Sequence, residues 1–235
     1  MKVAIHQPNF FPWLGYFDKI SKADIFVFMD NIDYPKSGNT MSSWTNRVKL
    51  MINGKPNWIR CPVIREHGRQ LIKDIEIDNT INWRQKLFKT IEYNYKKSFY
   101  YNQVIDWYNH ILNKDFNSLA EYNMANINQI CNRLNLNSSF VLQSELNISE
   151  SITSTDLLIE IVKSVGGDSY ICGNGASGYQ EDEKFSEAGI KLIYQNFCHP
   201  VYSQLKSENF IAGLSIIDML FNCGFQNTKD LLKCK

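Results

Sequence analysis

Short, uninterrupted apolar runs stand at residues 2–5 (KVAI) and 25–29 (IFVFM), the pattern of strands covered on both faces. Between them Leu14, Phe17, Ile20 and Ala23 recur at the spacing of one helical face. That order predicts strand, loop, helix, strand, and hence a parallel pair joined by a right-handed crossover. Residues 46–63 (NRVKLMINGKPNWIRCPV) read differently: two β-rich runs flank Asn53-Gly54 and predict an antiparallel hairpin. Residues 72–77 (IKDIEI) alternate and predict one more strand. The pattern then turns helical over 81–97, 102–113 and 117–134, the last with a stripe of Leu119, Tyr122, Ile127, Ile130 and Leu134. Afterwards strand and helix alternate again. Strands are predicted at 139–142, 169–172 and 190–194, a helix from near Thr155 to Val165, another ending at Gly189, and a last over 215–222 with Gly224 as its C-cap.

This order predicts an α/β fold: a three-layer, mostly parallel sheet with an antiparallel hairpin and a helical insertion over about 80–135, inside one domain spanning 1–235. A chain of 235 residues with 44% hydrophobic content can bury a core of that size. The formal net charge is +1 and no basic stripe stands out, so no nucleic-acid partner is expected. Only Lys2 precedes the first apolar run, and Pro8 and Pro12 interrupt it, so neither a secretory leader nor membrane insertion is expected and a cytoplasmic protein is. The six cysteines lack CxxC spacing and the four histidines are far apart, which argues against both disulfides and a metal site.

In a parallel sheet, ligands gather beyond the carboxyl ends of the strands. Residues 6–15 (HQPNFFPWLG) occupy that place after the first strand, and prolines there would hold His6, Gln7 and Asn9 in fixed positions. Phe10, Phe11 and Phe17 read as core, while Trp13 and Tyr16 suit either core or pocket wall. His6 is either a catalytic base or a satisfied structural histidine. The loop after the second strand, DNIDYPKSGNTMSSWTNR, carries Asp30, Lys36, Trp44, Asn46 and Arg47. Lys36 and Arg47 suit a pyrophosphate, and Trp44 or Trp13 a base or sugar ring. Asp30 and Asp33 would need further ligands before they could hold a divalent ion. A third cluster, YQNFCHPVYSQ, brings His199, Tyr202 and Gln204, with Cys198 too close in sequence to His199 to form a nucleophilic dyad with it. The glycine-rich turn CGNGASGY at 172–179 is a weak phosphate-cradle signal without a Walker lysine.

Taken together, IHQPNFFPWLGYFDKI, ADIFVFMD, WTNRVKL, YICGNGASGY, FCHPVYSQ and LSIIDMLFNCG closely resemble the WbqC-like proteins, from the first residues nearly to the C-terminus. The resemblance implies a setting among bacterial O-antigen and surface-polysaccharide genes. PWLGYFDKISKAD is also similar to the helix start of nucleotidylyltransferases, which implies a shared architecture, while Trp13 and Tyr16 stand where that pattern has the histidines that serve the triphosphate and so weaken the case for adenylyl transfer. In the polysaccharide setting the residues suit a transferase that N-acylates or N-aminoacylates the amine of a nucleotide-linked amino sugar. His6 or His199 would be the base, Asp30 would orient it or hold the amine, and Asn9 or backbone N–H groups would stabilise the oxyanion. Gln7, Tyr16, Asn46, Tyr202 and Gln204 complete the expected substrate contacts. The expected partners are a nucleotide sugar and an acyl carrier. The donor, an acyl thioester or an activated amino acid, is not specified by the residues, and no resident cofactor is implied. Two other readings stay open: an ATP-dependent nucleotidylyltransferase or ligase-like enzyme, and a non-catalytic sugar-nucleotide-binding protein.

Overall fold

A computed structural model of the chain describes residues 1–34, 44–173 and 180–233. In chain order the elements are β1 (Lys2–His6), α1 (Leu14–Lys22), β2 (Ile25–Phe28), β3 (Arg47–Ile52), β4 (Lys55–Arg60), α2 (Trp83–Tyr95) and α3 (Tyr101–Leu112). There follow α4 (Leu119–Leu134), β5 (Ser139–Leu142), α5 (Ser154–Ser164), β6 (Ser169–Cys172), α6 (Asp182–Glu187), β7 (Lys191–Tyr194) and α7 (Ile216–Lys233). They group into two compact units. The first comprises Met1–Gln7, Gly15–Asn31 and Leu136–Cys198; the second comprises Pro8–Leu14, Ile32–Asn135 and His199–Lys235.

The first unit is a five-stranded sheet in the order β5-β2-β1-β6-β7, with every pairing parallel. The α/β expectation therefore holds. Central β1 buries Val3, Ala4 and Ile5, and helices cover both sides of the sheet, so its strands must be apolar throughout. Helix α1 carries the chain from β1 to β2 on one side of the sheet's centre, whereas α6 carries it from β6 to β7 in the other direction. Right-handed crossovers running opposite ways put their helices on opposite faces and open a crevice between β1 and β6 at the carboxyl edge. Register places Ala4 opposite Ile171, so two residues further on His6 stands level with Gly173.

The second unit packs the hairpin β3–β4 with helices α2, α3, α4 and α7. Asn53 and Gly54 both take positive φ (54° and 74°), the backbone that a two-residue turn matching the strand twist requires. Phe10 and Phe11 are core here, as the sequence predicts. Phe10 packs on Trp83 and Tyr122, and Phe11 on Tyr108 and Tyr122. Phe11 holds φ at 40°, a strained value for a bulky residue. Its ring burial and the hydrogen bond from Ser215 Oγ to its carbonyl (2.7 Å) keep it there. Asn123 Nδ2 donates to the carbonyls of Pro8 (2.8 Å) and Thr45 (2.7 Å), tying the opening loop to the start of the hairpin.

Two elements differ from the pattern reading. Residues 72–77 form a single 3-10 turn, Ile72–Asp74, followed by isolated bridges rather than a strand. A 3-10 turn eclipses positions three apart, so Ile72 and Ile75 reach the core together and Ile77 follows, which imitates alternation in the sequence. The expected end of a helix at Gly224 is present in α7, but a second helical segment that the pattern does not predict follows it. The glycine breaks α7 with φ 74° and ψ 175°, and the chain resumes a helical course to Lys233. A Cβ at position 224 would lie 2.6 Å from Tyr100 Cδ1, so a bare backbone is needed where the two segments meet α3.

Candidate functional site

At the carboxyl edge of the first unit, His6 ends β1, with its ring edge-on to Tyr16 at 4.8 Å and Nδ1 3.2 Å from the Gln7 carbonyl. Burial, reinforced by the charge of Lys19, pushes the His6 imidazole down to about 3, so it is neutral at physiological pH and a weak base. Tyr16 is 2% exposed and donates to the Gln7 carbonyl (2.9 Å), so its ring is core and its hydroxyl fixes the loop. Asp30 follows β2, and both its oxygens accept from Ser144, one from the backbone N–H (2.9 Å) and one from the hydroxyl (2.6 Å). The carboxylate therefore secures the segment after β5.

In the second unit Trp13 lies against His199, the rings 6.2 Å apart and near parallel, and His199 also meets Tyr202 (6.3 Å) and Phe210 (5.2 Å). Burial lowers the His199 imidazole from its ordinary range, so it too stands in the unprotonated form a general base needs. Tyr202 is committed elsewhere. Its hydroxyl donates to one oxygen of buried Asp218 (2.8 Å) and that of Tyr95 donates to the other (2.7 Å). Burial, partly offset by these donors, raises Asp218 to about 6. Gln204 closes its own loop, donating to the Ile211 carbonyl and accepting from the Ile211 N–H (both 2.8 Å). Asn46 Nδ2 donates to the Cys61 carbonyl (3.1 Å) at the mouth of the hairpin. Asn9 is 3% exposed, and its Oδ1 meets no hydrogen-bond donor among the described residues.

The hairpin gathers three cationic side chains around an indole ring. Arg47 and Lys49 share one face of β3, with Arg60 and Trp58 opposite them on β4. The Arg47 guanidinium stacks 4.4 Å from the Trp58 ring centre, the Lys49 ammonium lies 5.1 Å from it, and Trp44 meets the same ring edge-on at 5.6 Å. Burial and the neighbouring Arg60 pull Arg47 below the usual arginine range, although a guanidinium remains cationic at neutral pH. Neither Lys49 nor Arg60 is ion-paired among the described residues. Trp58, Lys49 and Arg60 were absent from the expected site. Counting outward from Asn53-Gly54 pairs 49 with 58 and 47 with 60, so the turn carried the signal. The face connects to His199 within the same unit: Ser215 N donates to the Lys49 carbonyl (2.9 Å), Ser215 bridges to Trp13, and Trp13 stacks on His199.

Lys36 and residues 174–179 of the glycine-rich segment lie outside the described residues. Asp33 is engaged by Arg69 at 2.5 Å, and among the described residues no three His, Cys, Asp or Glu side chains come together as metal ligands would. No helix among the described residues is long and apolar enough to cross a membrane.

The family model described as the WbqC-like protein family matches residues 7–230. The chain is similar to "Uncharacterized protein Rv1507c" of Mycobacterium tuberculosis (strain ATCC 25618 / H37Rv), 28% identical over 237 residues that cover 100% of this chain and 99% of that protein. No solved structure matches it.

Proposed function

The chain belongs to the WbqC-like protein family, and from that membership and the hairpin's chemistry we propose that it is a transferase acylating the amine of a nucleotide-linked amino sugar. The observation that carries this reading is the gathering of Arg47, Lys49 and Arg60 around Trp58, with Trp44 beside it. Cations interleaved with indole rings suit a ligand that is anionic at one end and flat at the other, as a nucleoside diphosphate is. Arg47 and Arg60 would neutralise the pyrophosphate, and the Trp44 face would take the base or the sugar ring.

His199 is the better base of the two candidate histidines, because His6 is held at about 3 and transfers protons poorly near neutrality. In the proposed step the sugar amine forms a bond to the acyl carbonyl carbon and loses a proton to the His199 imidazole. As the tetrahedral intermediate collapses, the bond to sulfur breaks and the imidazole returns that proton to the departing thiolate. With an activated amino acid as donor, the oxygen leaving group takes the proton instead.

The test is to incubate the purified protein with nucleotide-linked amino sugars and acyl donors, following the mass of the sugar, while calorimetry reads binding of the nucleoside diphosphate. Arg47→Ala should weaken binding at least tenfold. His199→Ala should keep binding and lose turnover about a hundredfold, the scale of a general base. Tight binding with no mass change under any donor would favour a non-catalytic carrier of sugar nucleotides. Absence of nucleotide binding by the wild type would overturn the reading.

A further inference from the structure

The first unit holds a charge that no part of the hairpin reading uses. Lys19 of α1 is only 6% exposed, yet among the described residues its ammonium has neither an ion pair nor a hydrogen bond. The neighbouring acid is already engaged: fully buried Asp18 pairs with Lys22 (2.9 Å) and accepts from Gln195 Nε2 (2.7 Å). His6 at the end of β1 and Cys172 at the end of β6 both feel the Lys19 charge. His6 is neutral, and burial keeps the Cys172 thiol protonated, so neither balances the ammonium. Asp182, which acts on Cys172, is bound by Tyr194 Oη (2.6 Å) and Gln180 Nε2 (2.9 Å). A buried cation without a counter-ion is costly, and such groups persist where something else repays the cost.

Its position indicates what that is. A Cβ on Gly173 would stand 3.7 Å from Lys19 Nζ, so glycine leaves bare backbone where a side chain would cover the amine. Gly173 stands level with His6 across the β1–β6 pair, at the point where the crossovers diverge and parallel sheets take their ligands. We infer that this edge is a binding site for the oxyanion of a small molecule, a phosphoryl or carboxylate group, with Lys19 as its cationic partner and His6 beside it. The inference stands apart from the hairpin reading and survives its failure.

The test uses the full chain labelled with 13C at lysine Cε, titrated by NMR with and without sodium pyrophosphate, inorganic phosphate or acetate at matched ionic strength. Without ligand the Lys19 signal should titrate near 8. A bound oxyanion should move the midpoint up by about one pH unit or more, the size of a close opposite charge. A shift with pyrophosphate or phosphate alone assigns a phosphoryl ligand, and a shift with acetate assigns a carboxylate. Thermal melting of Lys19→Met should lose the anion-dependent rise in Tm that the wild type shows. A midpoint unmoved by every probe overturns the proposal, as does a Lys19→Met protein with an undiminished anion response, which would mean an adventitious ion only.

Discussion

Replacing Asp218 by asparagine should stabilise the protein relative to wild type as pH rises, because this carboxylate opposes folding once it is ionised. Asp218 is fully buried, with Tyr95 and Tyr202 hydroxyls donating to its two oxygens. Burial outweighs those donors and lifts it from an ordinary 3.8 to about 6. Between those values the folded state holds a proton that the unfolded chain has released, so stability falls as pH rises through the window. Two pH units at about 1.4 kcal/mol each give a total near 3 kcal/mol, fully expressed above pH 7. About half of it is lost between pH 5 and pH 7.5. Asp218→Asn keeps one acceptor oxygen and cannot ionise, so it forfeits roughly one tyrosine hydrogen bond, about 1 kcal/mol, at every pH. The assay is thermal melting of both proteins at pH 5 and pH 7.5. The mutant should gain about 3–6 °C on wild type between the two, using about 2–4 °C per kcal/mol for a chain of this size. A mutant-minus-wild-type difference that does not change with pH would refute the reasoning, whatever its size.

Gly224→Ala should cost at least about 2 kcal/mol in urea unfolding, since the new methyl meets Tyr100 at 2.6 Å and φ is 74°. Asp30→Ala should destabilise by about 2–4 kcal/mol, because it strips Ser144 of acceptors for both its N–H and its hydroxyl. Hydrogen exchange concentrated at the backbone after β5 would report the loss, and unchanged protection there would contradict it. Gly54→Ala should cost about 1 kcal/mol, because φ is 74° and the methyl would come within 3.3 Å of the Lys206 carbonyl.

The hydrophobic pattern alone determined much of this protein. Runs such as KVAI and IFVFM can be buried on both sides only between helices, and Asn53-Gly54 supplies the two positive-φ residues of a tight turn, so the parallel sheet and the hairpin were both readable. Local spacing misled where a 3-10 turn imitates a strand, at Ile72 and Ile75, and it missed the second helical segment that follows the break at Gly224. The fates of single polar groups were decided by partners far along the chain. Asp30 is claimed by Ser144, Tyr202 by Asp218, and Lys19 is left without the acid that Lys22 takes. A hydrogen bond or an ion pair depends on which atoms lie within about 3 Å. Residue order fixes that distance only for near neighbours, and folding fixes it for the rest.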